Sequence, residues 1–179
     1  MKRPNILLIT TDQQRYDTIC AMGYDFMETP NLDLLAAEGC CYPNAFSSNP
    51  VCMAARHQII TGLTARYHGF DDNYFESDPK MIPYDLPTLP QLLSDAGYDT
   101  IAIGKMHFQP CRRHNGFTKM ELMEEIPRYL EDDEYTKYLK ENGYGHLQSP
   151  HGVRHLLYML PQRSLIPEEH HGSTWVAKR

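Results

Sequence analysis

The chain has 179 residues, 41% of them hydrophobic, enough apolar content for one ordinary domain. Its net charge of -6 and pI near 5.8 argue against a nucleic-acid-binding surface, because phosphate contacts draw on clustered Lys and Arg. The basic clusters, Arg112-Arg113 and Lys178-Arg179, are too small to form one.

Residues 5–10 are a short apolar run bounded by Pro4 and Asp12, the pattern of a buried strand in a parallel sheet. The run is too short for a signal-peptide core or a membrane span, so the chain reads as cytoplasmic and not membrane-bound. Such a strand delivers Thr11, Asp12 and Gln13 at its carboxyl end, where open α/β sheets place their ligands. Asp12 offers a carboxylate and Gln13 an amide oxygen, both hard donors suited to Ca²⁺ or Mg²⁺. A plain strand-to-loop turn accounts for the same residues. Thr29-Pro30 starts a helix whose apolar side carries Leu32, Leu34, Leu35 and Ala36, with Gly39 as its stop. Cys41 to Phe46 is expected as a short strand.

The stretch Ser47-Ser48-Asn49-Pro50-Val51-Cys52-Met53-Ala54-Ala55-Arg56 reads as the start of a further helix. Pro50 suits a first turn, and Ser48 or Asn49 can cap it. Cys52 then lies at a helix N-terminus, where free N–H groups and the macrodipole favour an anion. Arg56 follows four residues later on the same face, with a guanidinium that grips tetrahedral oxyanions bidentately. Ala55, Ile59 and Leu63 make an apolar line for anchoring the helix. A buried, inert Cys beside a surface Arg explains the same spacing.

Tyr67 to Asn73 reads as a polar loop. Leu86 to Gly97 is a capped helix ending at a glycine, and Tyr98 to Ile103 a strand that Gly104 closes. This helix-to-strand alternation is typical of α/β layering. Lys105 and His107 come next with a spacing of two, so an extended chain points both to one side. From Asn115 onward the chain turns polar. Leu130 to Asn142 reads as an exposed helix, and a second short helix is expected near Val153–Leu160. Tyr129, Tyr135, Tyr138, Tyr144 and Tyr158 suit packing better than sugar stacking. His146, His151, His155, His170 and His171 show no ligand spacing. Five Cys without a CxxC pair fit a reducing compartment.

Cys52-x-Ala54-x-Arg56, followed by Thr61-Gly62, resembles the sulfatase signature, whose Cys is oxidised after translation to formylglycine. The Ala form is similar to the variant that a radical sulfatase-maturing enzyme processes in anaerobic bacteria. Gly104-Lys105-x-His107 resembles the second sulfatase signature. Asp12-Gln13 is similar to the metal-binding pair of the choline-sulfatase and phosphonate monoester hydrolase branch. Asn73, 21 residues past Cys52, matches an Asn that lines the anion site there. The phrase from Thr29 to Gly39 and the segment Ser173–Ala177 are sulfatase-like as well.

The resemblance implies an α/β fold, a largely parallel sheet flanked by helices of the alkaline-phosphatase type. It implies a sulfuric ester hydrolase that uses formylglycine at position 52 and Ca²⁺ or Mg²⁺ at Asp12 and Gln13. Arg56, Lys105 and His107 would be catalytic and Asn73 substrate-binding. The substrate would be a small-molecule or glycan sulfate ester; a phosphonate or phosphate diester hydrolase is the alternative, and a non-catalytic fragment a further one. Residues 1–179 would be the N-terminal part of the catalytic domain, with 118–170 a variable substrate-pocket region. The later metal motif and His-bearing loop are missing, so the chain is expected to be a fragment, inactive alone. Its partners would be the maturing enzyme and the missing C-terminal half or a second copy.

Overall fold

A computed structural model describes residues 3–74, 80–125, 127, 133–147, 149–152, 156 and 159–179. The chain divides into two compact units, Met1–Ser47 and Ser48–Arg179.

In the first unit, 3-10 turns at Tyr16–Thr18 and Cys20–Met22 precede helix α1, Pro30–Glu38. Pro30 opens α1 and Gly39 follows it, as expected. The backbone of the second turn hangs on α1: Cys20 N–H donates to Thr29 Oγ1 at 2.9 Å and Ala21 N–H to Asp33 Oδ1 at 2.8 Å. Leu34 and Leu35 remain exposed, so the helix does not bury the apolar side its sequence offers.

Two expected strands do not form. Residues 5–10 have no strand partner among the described residues, and Ile6, Leu7, Leu8 and Ile9 are 61–84% exposed. An apolar run becomes a strand only when a neighbour takes up its N–H and C=O groups. Cys41 to Phe46 is interrupted by a turn in which Ala45 N–H donates to Tyr42 C=O at 3.2 Å. Pro43 and Asn44 occupy the two central positions of that turn, where they are favoured, and Pro43 has no N–H for a ladder.

The second unit carries helices α2 (Cys52–Thr61), α3 (Ala65–His68) and α4 (Leu89–Asp95), then strand β1 (Ile101–Gly104). Strand β2 (Lys119–Leu122), helix α5 (Glu134–Glu141), a 3-10 turn at Glu168–His170 and helix α6 (Gly172–Ala177) follow among the described residues. The two strands run parallel, with Ile101 opposite Lys119 and Gly104 opposite Leu122. Their alternation decides the layers. Ala102, Met120 and Leu122 point to a core containing Met53, Ile60, Phe70 and Phe108. Ile103 packs against the other core, Tyr135, Leu139, Ile166 and Trp175. Both faces of the pair are therefore covered, as parallel strands require.

Thr88 caps α4 by accepting Gln91 N–H, and Gly97 takes a positive φ just after the helix. Asp133 caps α5, which begins later than expected; residues 130–132 lie outside the described set. Tyr135 and Leu139 are buried, so α5 is amphipathic and not exposed all round. The helix expected near Val153–Leu160 falls largely outside the described residues, as do Tyr129, Tyr158 and His155. Tyr135, Tyr138 and Tyr144 line the second core, in the packing role expected of them. Ser173–Ala177 is helical, within α6. Among the described residues no helix is long and apolar enough to cross a membrane.

Candidate active site

Helix α2 starts at Cys52 itself, so Pro50 lies two residues before it and not in its first turn. Its N-cap is Val51, in extended conformation and with no side chain able to cap. The cap comes from afar: Asn73 Oδ1 accepts Met53 N–H at 3.0 Å. The side chains expected to cap bind elsewhere. Ser48 Oγ donates to Gln58 Oε1 at 2.9 Å, and Asn49 Nδ2 to Asp71 C=O at 2.7 Å. Tyr67 and His68 end α3 instead of lying in an open loop, and Phe70 is fully buried. That packing brings Asn73 back to the mouth of α2.

The face of α2 turned to the core is Met53, Ala54, His57 and Ile60, not Ala55, Ile59 and Leu63. His57 stacks on Phe70 with ring centroids 3.8 Å apart, and its Nδ1 lies 2.7 Å from Met53 C=O. Burial lowers the His57 pKa to about 4, so the ring is neutral and Nδ1–H is the donor.

The segment after β1 also reaches the start of α2. Lys105 Nζ lies 3.7 Å from Cys52 Sγ and 3.0 Å from Glu125 Oε2, with its side chain 10% exposed. Arg56 Nη1 donates to the carbonyl of Lys105. The backbone turns sharply at His107, whose φ is 54°, so Lys105 and His107 are not two positions of one extended strand. Glycine Gly104 ends β1 with φ 97°, and the ladder stops there. The amides of Met106 and His107 both donate to Glu124.

Five candidates, Cys52, Arg56, Asn73, Lys105 and His107, thus belong to one neighbourhood of the second unit, although they span more than fifty positions. Asp12 and Gln13 sit side by side at an exposed bend of the first unit, Gln13 with φ 58°. Two oxygen donors fit a hard cation in kind and fall short in number, since Ca²⁺ takes about six to eight. Among the described residues no three His, Cys, Asp or Glu side chains gather to hold a metal ion. None of the five cysteines is in a disulfide. Glu124 and Glu125 are the neighbours that sequence reading passed over. Their adjacent charges directly after a buried strand were the available signal.

A protein-family model described as Sulfatase matches residues 4–163. An arylsulfatase of Clostridium perfringens is 41% identical over 120 residues, 67% of this chain and 24% of that protein. An N-acetylglucosamine-6-O-sulfatase of Bacteroides thetaiotaomicron is 32% identical over 148 residues, 80% of this chain and 25% of that protein. The human N-acetylgalactosamine-6-sulfatase is 35% identical over 112 residues, 58% of this chain and 22% of that protein. The chain therefore spans about a quarter of the length of these curated relatives. The crystal structure of a phosphonate monoester hydrolase of Agrobacterium radiobacter superposes with a TM-score of 0.73 at 23% identity, over 98% of this chain and 37% of that one. That likeness establishes the fold, part of an alkaline-phosphatase-like α/β arrangement.

Proposed function

The chain belongs to the sulfatase family, and from that premise we propose that the protein it forms part of hydrolyses a sulfate ester at the mouth of α2. The observation that carries the reading is the approach of Lys105 Nζ to within 3.7 Å of Cys52 Sγ, between residues 53 positions apart. Cys52 is the residue a sulfatase-maturing enzyme would oxidise to formylglycine, which supplies a hydrated aldehyde as the oxygen nucleophile. The other side chains bind and balance charge. Lys105, one-tenth exposed, presents an ammonium that neutralises sulfate oxygens where water screens it weakly. Glu125 is its counter-ion before substrate arrives. Arg56, which donates to the Lys105 C=O, carries a guanidinium of the kind that suits an oxyanion. Asn73 holds the first turn of α2 so that position 52 stays aimed at the ester. His107 is the base that takes the proton from the second hydroxyl of the hydrate, expelling sulfate and restoring the aldehyde.

Asp12 and Gln13 are the family's candidates for a divalent cation, Ca²⁺ or Mg²⁺, which would withdraw charge from the sulfate. Further donors must come from beyond them, and no step is drawn through the ion. Two relatives carry names of amino-sugar sulfatases, which supports a sulfated sugar as substrate. The phosphonate or phosphate diester alternative shares only the fold with its neighbour.

The test is a rate comparison on aryl sulfate and aryl phosphonate esters, using the complete protein co-expressed with a maturing enzyme. Faster turnover of the sulfate, lost in C52A, supports the reading. Faster turnover of the phosphonate, or activity retained by C52A, overturns it.

A further inference from the structure

The segment Lys105–His107 carries two of the side chains assigned above, and its backbone is held from both sides. Arg56 donates to the Lys105 carbonyl. From the other side, Glu124 Oε1 accepts Met106 N–H at 2.8 Å and His107 N–H at 2.9 Å, while Oε2 lies 3.2 Å from the same His107 nitrogen. Two successive amides aimed at one point make an anion-binding concavity of the kind that elsewhere receives a ligand oxyanion. Here the chain's own carboxylate fills it.

That segment needs an anchor. His107 has φ 54°, a left-handed conformation that costs a non-glycine residue about 1 kcal/mol and persists only when its surroundings enforce it. Glu124 is itself fixed. It is 6% exposed, and its own N–H donates to Asp133 Oδ2 at 2.6 Å. Asp133, 1% exposed, uses Oδ1 to cap α5 through Thr136 N–H at 2.7 Å. Burial lifts the Glu124 pKa above the usual carboxylate range, while the two amides and the nearby Arg56 pull it back. A carboxylate buried at such cost, with both oxygens turned to one loop, is not a solvated surface charge.

We propose that Glu124 is a positioning residue: it locks the turn at Met106–His107 and thereby aims Lys105 and His107 at position 52, with Asp133 as its buttress. The inference rests on the sulfatase reading of the site, so the experiment separates the two. In the complete, matured protein, E124Q keeps the size of the side chain but loses its charge. It also sets an NH₂ group against one of the two donors.

Hydrogen exchange of the peptide covering 105–108 speeds up about tenfold or more in E124Q, while α2 exchanges as in the wild type. On an aryl sulfate, kcat falls roughly 10- to 100-fold, the loss expected when a reacting group is misplaced by about 1 Å, and KM changes much less. In a double-mutant cycle the E124Q loss shrinks on an H107A background, because the part of it that acts through His107 has nothing left to position. Unchanged exchange, an unchanged kcat, or a loss that adds in full to that of H107A overturns the proposal. A fully active H107A refutes the catalytic reading instead, and exchange alone then judges the clamp. Should E124Q fail to fold, D133N replaces it: the same exchange pattern and the same cycle with H107A are expected, and their absence overturns the clamp.

Discussion

Removing the distant cap of α2 separates the mechanical role of Asn73 from any charge it lends the site. In N73A, Met53 N–H loses its acceptor at 3.0 Å. Met53 is fully buried, so water does not readily replace that acceptor. A lost N-cap costs typically about 1 kcal/mol, and a buried donor left unsatisfied about 1–3 kcal/mol, so a loss of about 1.5 kcal/mol is expected. N73D restores an acceptor and places a negative charge at the positive end of α2, which is worth about 0.3–1 kcal/mol. Its stability should return to within about 0.5 kcal/mol of wild type. The same carboxylate repels a sulfate ester, so KM should rise about tenfold, the equivalent of about 1.4 kcal/mol. Urea unfolding of the complete protein, read by linear extrapolation, gives the first quantity and initial rates on an aryl sulfate give the second. An N73A protein as stable as wild type, or an N73D protein as unstable as N73A, would refute the capping argument.

K105M keeps the aliphatic stem packed and removes the charge; kcat/KM for an aryl sulfate should fall roughly 100- to 1000-fold while the urea midpoint stays put. A loss below about threefold would show that Lys105 does not meet the sulfate. His57 gives a pH signature. Its folded pKa, lowered to about 4 from 6.5, means the unfolded chain takes up the proton first as pH falls. The stability held above pH 6.5 should then decline toward pH 4, by about 3 kcal/mol over the window. Glu124 and Asp133, whose pKa values burial raises, act in the opposite sense, so the comparison is with H57F. H57F should flatten the slope between pH 6.5 and 4, measured by urea unfolding at each pH. An identical slope in the two proteins would show that His57 is not the proton acceptor.

What was legible in the sequence was chemistry at fixed spacing. Cys52 and Arg56 lie one helical turn apart whatever the rest of the fold does, and a glycine-closed strand before Lys105 leaves little freedom at that end. Partners remote in sequence were harder to see. Asn73 is marked only by its match to the sulfatase pattern, yet its task, capping α2 in place of Ser48 or Asn49, follows only from the burial of Phe70. Glu124 touches backbone amides 17 and 18 positions upstream, and no periodicity marks such a contact.

The anchoring face of α2 was misread because His57 looks polar in sequence. A neutral imidazole stacked on Phe70 packs as a core residue. The strands expected at residues 5–10 and 41–46 failed for different reasons. The first has the right composition but no partner among the described residues, whereas the second carries its own turn at Pro43-Asn44. Composition selects a conformation only where a neighbour completes its hydrogen bonds.

The central claim is that position 52 attacks as an aldehyde hydrate and not as a thiol. Mass spectrometry of the peptide containing residue 52, taken from a preparation that hydrolyses an aryl sulfate, tests it directly. The expected mass is that of formylglycine in place of cysteine, in proportion to the activity. A fully active preparation with an unmodified Cys52 thiol would contradict it.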